Sequence, residues 1–369
     1  MIYLISNQDY LFDSPLFTKI SIEEAIEDLL SLSEISLDTE TQGLDVFTKK
    51  LLLLQLGDFK NQYVFDVNSY NNKIPLKLVN FLNSHNATYI LQNAKFDIKF
   101  LFHQGVILKR VYDTMLAEII LTNGLQYSGR DLNSLTYKYC NTFLDKSVRG
   151  TIISSGLNNS VIEYGANDIK YLSIIKEAQL REAEKLNLSK AIELDNSFVI
   201  VLAYTEYCGI KLDYEKWKLR TIHSESEVLL LKEALEERLL KDGKTKYFSG
   251  MLDMFTLKHD CILNWDSPLQ VIKLFKEYGI KVTVKEKGIE KETIDAKVLI
   301  PQKKDFPILP PYLEYKEKQK EISTYGHNWK KYINPVTGRI HTTYQQLMDT
   351  SRLSSGNKRD GTPKQNWAI

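Results

Sequence analysis

The sequence predicts an α/β domain over residues 1–186, a mixed sheet with flanking helices, followed by a mostly α domain built on two long antiparallel helices. Three observations carry this prediction. Between Ile35 and Val67, apolar runs bounded by Gly, Asn or Asp follow one another with short turns, as strands of an antiparallel meander do. From Asp113 to about Leu186 the apolar spacing is helical. Beyond residue 187 two long amphipathic stretches flank a Lys-rich segment, the pattern of an antiparallel stalk with a small tip.

Taken in order, Ile2–Ile5 reads as a short strand followed by a loop. Ser21 with Glu24 three residues on forms a capping box and starts a helix to about Leu30. The strands Ile35–Thr41, Leu51–Leu56 and Tyr63–Val67 come next. Then follow a helix at Leu76–Leu82, a strand at Tyr89–Leu91 and a helix at Lys95–His103. The helical region from Asp113 is broken near Asn123–Gly129 and again at Lys146–Asn159. Ala191–Cys208 is a helix closed by Gly209, and Asp213 caps a long helix to about Leu240. Shorter helices are expected at Pro268–Tyr278 and Thr293–Leu299. Pro310-Pro311 opens a second long helix to about Tyr332, and Gly338–Gln346 alternates like a strand. Ser354–Pro363 reads as a polar loop. The expected domains are 1–186, 187–335 and 336–369.

Composition bounds the function. The 369 residues suffice for two or three cores, and a net charge of +1 gives no global electrostatic argument for nucleic acid. The balance is uneven, however: residues 301–369 hold 12 Lys/Arg against 6 Asp/Glu, so the basic excess sits in the tail, where phosphate contact is chemically reasonable. Cys140, Cys208 and Cys261 are odd in number and lack metal spacing, which points to buried thiols in a reducing, cytoplasmic compartment. No apolar run is long enough to span a bilayer, so no membrane association is expected.

The chemistry begins at Ile35-Ser36-Leu37-Asp38-Thr39-Glu40-Thr41. Strand alternation puts Ile35, Leu37 and Thr39 on one face and Ser36, Asp38 and Glu40 on the other. Two carboxylates a few ångströms apart resist joint ionisation unless a cation sits between them, and hard oxygen ligands suit Mg²⁺ or Mn²⁺. Alone, such a pair is an ordinary acidic turn. Its company is less ordinary. Asn93-Ala94-Lys95-Phe96-Asp97 places a carboxylate in the first turn of a helix, near the positive end of the dipole. Asp113 follows a short apolar stretch, and Tyr164 and Asp168, four apart, share a helix face.

The order D-x-E, N-x-x-x-D, Y-x-x-x-D resembles the 3′→5′ exonucleases of the DEDDy type, within the ribonuclease H-like fold. The resemblance covers residues 1 to about 186. It implies that Asp38, Glu40, Asp97 and Asp168 hold two divalent metal ions, Mg²⁺ or Mn²⁺, and that Tyr164 orients the attacking water. Asp113-Thr114 matches an Asp-Thr pair for which a structural role is expected. Two ions would serve phosphodiester hydrolysis by activating water and holding the leaving 3′-oxygen. A tyrosine, with an ordinary pKa of about 10, suits a hydrogen-bonding role better than that of a base. A 3′ end reaching such a site is expected to be single-stranded. Leu44 and Phe47, just past Glu40, are candidates to wedge against terminal bases, with loop packing as the alternative, and Asn93 is a further DNA-contact candidate.

Residues 187–369 resemble the segment that follows the exonuclease in family-A DNA polymerases. The matching stretches are Glu206–Asp213, Ser267-Pro268-Leu269-Gln270 with Gly279-Ile280, Tyr315–Lys320, Gly338-Arg339-Ile340-His341-Thr342, Asp349–Ser355 and Gln365-Asn366. The resemblance implies a thumb-like domain and the entry to a palm. There Arg352, Gln365 and Asn366 would approach the minor groove of primer–template duplex, whose N3 and O2 acceptors suit sequence-neutral donors. Ser351 stands where many members have glycine. The sequence ends at Ile369, where the palm would begin, so no polymerase active site is expected within it. The expectation is the N-terminal piece of a split polymerase, with a separate palm–fingers chain as partner, or a truncated product. The leading function is a proofreading 3′→5′ exodeoxyribonuclease. The alternatives are a DNA-binding assembly subunit and an RNA-trimming exonuclease.

Overall fold

The computed structural model describes residues 1–8, 14–122, 129–145, 153, 156–252, 259–286, 288–348 and 352–356. The chain divides into two compact units, Met1–Lys211 with Asn334–Ile369, and Leu212–Ile333. The first unit thus runs beyond residue 186 and takes in the segment from Asn334.

The first unit is organised by a seven-stranded sheet. Its strands are β1 (Ile2–Ile5), β2 (Phe17–Lys19), β3 (Glu34–Thr41), β4 (Leu51–Gly57), β5 (Gln62–Asp66), β6 (Thr88–Leu91) and β7 (Val111–Asp113), in the spatial order β2-β1-β5-β4-β3-β6-β7. The meander β3–β4–β5 is antiparallel; β1 joins β5, β2 joins β1, β6 joins β3 and β7 joins β6 in parallel. β4 and β5 lie inside the sheet and are buried along their whole length, which is why they read as near-continuous apolar runs.

Alternation sorts the sheet into two faces. Ile35, Leu37, Leu54 and Leu56 look toward α1 (Ile22–Leu30), α2 (Leu76–Ser84) and α3 (Lys95–His103) and form the main core. α4 (Thr114–Leu121) and α5 (Leu132–Cys140) follow. On the opposite face α6 (Asn159–Lys170) lies over β3, β4 and β5, sealed by Leu4, Leu53 and Val64 against Val161, Ile162 and Ala166. α7 (Leu172–Lys185) continues along β3 and β6. Fully burying one such aliphatic side chain contributes about 1.5–3 kcal/mol, so this alternation fixes register: a one-residue slip of β3 would turn Asp38 into the core.

The capping box at Ser21 and Glu24 forms as the sequence predicts. α8 (Ser189–Cys208) buries Val199 and Ala203 in the main core, and so belongs with the sheet. It ends at Gly209, whose φ of 59° favours glycine and where a Cβ would lie 2.6 Å from the Ile340 carbonyl. The second unit contains α9 (Tyr214–Lys241), β8 (Phe248–Leu252), β9 (His259–Cys261), α10 (Pro268–Glu277), β10 (Thr283–Glu286), β11 (Ile289–Glu292), α11 (Ala296–Leu299) and α12 (Leu309–Tyr325). The long helices α9 and α12 pack antiparallel: Arg220 pairs with Glu321 and Glu227 with Lys318, while Leu235 and Leu239 share a core with Leu309 and Tyr312.

Four details differ from the sequence prediction. Phe17–Lys19 is an edge strand rather than loop. Residues 283–292 form a hairpin, and the Thr293 N–H still bonds the Val282 carbonyl, which shortens the expected Thr293–Leu299 helix to Ala296–Leu299. The second long helix stops at Tyr325, because Gly326 turns out of α geometry, and a 3₁₀ turn covers His327–Tyr332. The expected strand Gly338–Gln346 reduces to a bridge between Ile340 and Ile210 plus β12 (Tyr344–Gln345), paired with β13 (Ser354–Ser355). The breaks expected near Asn123–Gly129 and Lys146–Asn159 fall largely outside the described residues. Among the described residues no helix is long and apolar enough to cross a membrane.

Candidate active site

Three acids converge where β3 meets α6. Asp38 and Glu40 project from the sheet face that α6 covers, and α6 delivers Asp168. One ligand oxygen from each lies within 4.8 Å of the other two. Three hard carboxylate oxygens this close form a donor set that fits Mg²⁺ or Mn²⁺. Tyr164 stands one turn before Asp168 on the same helix face, close enough for the Asp168 carboxylate to raise its phenol pKa.

Asp97 arrives from the other side of the sheet. It sits in the first turn of α3, buried, and accepts a hydrogen bond from the Thr39 hydroxyl, which occupies the core face of β3. Asp38 and Asp97 thus meet at the strand end from opposite faces, with Asp97 outside the three-way convergence. The turn into α3 is held by Asp113. Its carboxylate caps α4 through the Met115 and Leu116 N–H groups and also receives the N–H groups of Asn93 and Ala94. Asn93, at φ 61°, adopts the left-handed conformation its short side chain tolerates. Lys95 and Lys99, two residues to either side of Asp97, both pair with the buried Glu206 of α8, at 2.6 and 2.7 Å. Glu206 also accepts the Tyr344 N–H at 2.6 Å.

The electrostatics follow from crowding partly buried acids together. Burial, then the charges of Asp97, Asp168 and Glu40, push the Asp38 carboxyl well above the ordinary carboxylate range. Burial raises Asp97 to about 7 against the hydrogen bond from Thr39, and raises Asp113 to about 6 against its four backbone donors. Burial also raises the Tyr164 phenol, reinforced by Asp168 and Glu40, so it stays protonated and able to donate.

These shifts fix a pH dependence. Asp38, Asp97 and Asp113 have folded pKa values above the ordinary one, so their stabilising contribution is full at low pH and is lost as pH rises through the folded pKa. The metal-free protein is therefore expected to lose stability between about pH 4 and pH 7 through these groups. Thermal melts in a metal chelator should show a higher melting temperature at about pH 5 than at about pH 8, and saturating Mg²⁺ should narrow the difference by compensating the ionised acids of the site, leaving the share that belongs to Asp113. A melting temperature that climbs steadily from pH 5 to pH 8 without metal would contradict this assignment.

The remaining candidates separate. Leu44 is 74% exposed, beside the site's strand. Phe47 is packed instead, its ring stacked 5.3 Å from Tyr207 and 4.4 Å from the His341 ring. The Asn93 side chain is exposed at the entry to α3. Arg352 is exposed, and its carbonyl accepts the Met348 N–H. Ser351, Gln365 and Asn366 lie outside the described residues. Sequence reading passed over Thr39, which looked like core patterning, and Gln55, although a lone amide within Leu51-Leu52-Leu53-Leu54-Gln55-Leu56 is itself a signal.

Sheet order, helices on both faces and an acidic cluster at a strand end give the mixed α/β architecture that the sequence predicts for this part of the chain. Residues 15–183 match the family model described as 3′-5′ exonuclease, and residues 251–358 match that of DNA polymerase family A. The chain is thus similar over its first half to 3′-5′ exonuclease domains and over part of its second half to family-A DNA polymerases. It is 28% identical to DNA polymerase I of Borreliella burgdorferi over 357 residues, covering 92% of this chain and 36% of that protein. It is 26% identical to that of Aquifex aeolicus, covering 91% and 57%. The chain thus spans from about a third to just over half of the length of these relatives. In fold it is similar to the POL domain of Pol1 from M. smegmatis, with a TM-score of 0.63 at 16% identity, covering 95% of this chain and 54% of that one.

Proposed function

We propose that the chain is a metal-dependent 3′→5′ exodeoxyribonuclease that removes nucleotides from single-stranded or mismatched DNA 3′ ends, the proofreading part of a family-A polymerase. The observation that carries this reading is the convergence of Asp38, Glu40 and Asp168, with the Tyr164 hydroxyl one helical turn from the last. Asp38, Glu40 and Asp168 would hold divalent ions, with Asp97 completing the set from the far face of β3. When bound, a pair of such ions supplies a reactive water at neutral pH and neutralises charge on the leaving 3′-oxygen.

The chain's own residues do the rest. Tyr164, a donor at all physiological pH, holds the attacking water in line with the scissile bond. Thr39 fixes the Asp97 carboxylate, and Asp113 with the Lys95–Glu206–Lys99 clamp keeps the first turn of α3 in register with β3. Exposed Leu44 is placed to meet the terminal base, whereas the packing of Phe47 favours a supporting role. The exposed Arg352 is a contact for primer–template duplex, with Gln365 and Asn366 further candidates. The domains of the reading are the exonuclease, a thumb-like helical domain and the start of a palm, and a palm–fingers polymerase chain is the partner it implies.

Direction and product test the reading. With Mg²⁺ and 5′-labelled single-stranded DNA, the products should form a ladder shortening by one nucleotide at a time from the 3′ end, with mononucleotides released. A mismatched primer end should shorten faster than a paired one. Internal cleavage, or loss of the 5′ label as a mononucleotide, refutes the assignment. Faster trimming of RNA than of DNA of the same sequence would move the reading to RNA processing.

A further inference from the structure

Gln55 is fully buried in β4, the one polar side chain in the apolar run Leu51–Leu56. It stands directly opposite Asp38 in the β3–β4 pair. Opposed residues of antiparallel strands project to the same face with Cβ atoms about 4.5–5.5 Å apart. The Gln55 side chain therefore lies on the metal-site face, under α6. The helix makes room for it: at Gly165, between Tyr164 and Asp168, a Cβ would stand 2.6 Å from Gln55 Nε2. The amide thus fills the seam between the strand that carries Asp38 and the helix turn that carries Tyr164 and Asp168.

Neither Nε2 nor Oε1 of Gln55 has a hydrogen-bond partner among the described residues. Leaving a buried amide group unpaired destabilises the fold, and a methionine of nearly the same shape would remove that cost. Ligand carboxylates of metal sites are themselves hydrogen-bonded by surrounding donors, which orient them and tune the metal. An unpaired amide donor beside an acidic cluster has the position of such a donor.

We propose that Gln55 is a positioning residue for the acidic cluster: its amide NH₂ donates to the Asp38 carboxylate when that carboxylate holds a divalent cation, fixing its orientation toward Asp168. This rests on the reading of Asp38, Glu40 and Asp168 as the ion-holding set. Gly165 is part of the same device, because a side chain there would displace the amide.

The test uses the full chain with Mn²⁺ as probe, read by calorimetric titration and by the Mn²⁺-induced rise in melting temperature, with Asp38→Ala alongside. For Gln55→Met the expected result is an apparent Mn²⁺ dissociation constant raised about 10–100-fold, with a metal-free melting temperature equal to or above the parent's. The metal-activation curve for DNA hydrolysis should shift to higher Mn²⁺ by a similar factor while its plateau stays within a few-fold. Should the methionine variant not fold, Gln55→Leu carries the same expectation. Mn²⁺ affinity within twofold of the parent in the folded variant, together with a raised melting temperature, overturns the proposal and makes Gln55 a poorly satisfied core amide. Loss of Mn²⁺ binding in Asp38→Ala with parent-like Gln55→Met overturns the proposal alone. Parent-like binding in Asp38→Ala overturns the ion-holding reading and the proposal with it.

Discussion

The double variant Asp38→Ala, Glu40→Ala is expected to lose metal-dependent hydrolysis of 3′-ended single-stranded DNA while its stability in the absence of metal holds or rises. The two effects have one cause. Asp38, Glu40 and Asp168 crowd their ligand oxygens within 4.8 Å, and burial with mutual repulsion already forces Asp38 toward its neutral form. Removing two of the three acids relieves that repulsion, so the metal-free melting temperature should hold or rise, and the Mg²⁺-induced rise should vanish. Without the donor set there is nothing to retain the ions, and the rate should fall by about 10⁴ or more, equivalent to about 5–6 kcal/mol of transition-state stabilisation. Near-parental hydrolysis by the double variant would sink the assignment. Loss of activity together with a collapse of the metal-free melting temperature would show instead that the acids serve the fold.

The site was legible in the sequence as a set rather than residue by residue. Asp38 and Glu40 alone would pass for an acidic turn on the polar side of a strand; the signal is their order with Asp97, Tyr164 and Asp168, the last on a helix that also buries Ile162, Ala166 and Ile169. Local signals placed α3, the capping box at Ser21 and the end of α8 at Gly209, since each depends only on residues within a turn.

What stayed hidden depends on partners distant in sequence. β2 is three residues long and exists because β1 offers an edge. The hairpin at 283–292 carries charged residues on an exposed edge, so its alternation is faint. That Asp97 reaches the strand end from the opposite face, through Thr39, could not follow from periodicity, which assigns faces but not the crossing at a strand's end. Glu206 looked like part of a helix–Gly terminus, yet it clamps Lys95 and Lys99 from more than a hundred residues away. The Gly165–Gln55 seam needs both the β3–β4 register and the approach of α6, neither of which sequence spacing encodes.

Tyr164→Phe isolates the other half of the chemistry. The ring is half-buried on α6 and its packing survives the substitution, so the fold and the affinity for a DNA 3′ end should stay close to the parent's. Only the hydroxyl is lost, with the hydrogen bond we assign to the attacking water. Positioned donors of this kind contribute about 10²–10³ in rate, so kcat should fall by that factor with KM changed little. Mn²⁺ affinity should stay within a few-fold, since Asp38, Glu40 and Asp168 remain, which separates this variant from Gln55→Met. The pH–rate profile adds a check on role. Burial and the neighbouring acids hold the phenol protonated well above its ordinary range, so a tyrosine acting as donor adds no limb to the parent's profile between about pH 6 and pH 9. An alkaline limb in the parent that disappears in the phenylalanine variant would make Tyr164 a titrating base, and parental kcat in the variant would make it a packing residue.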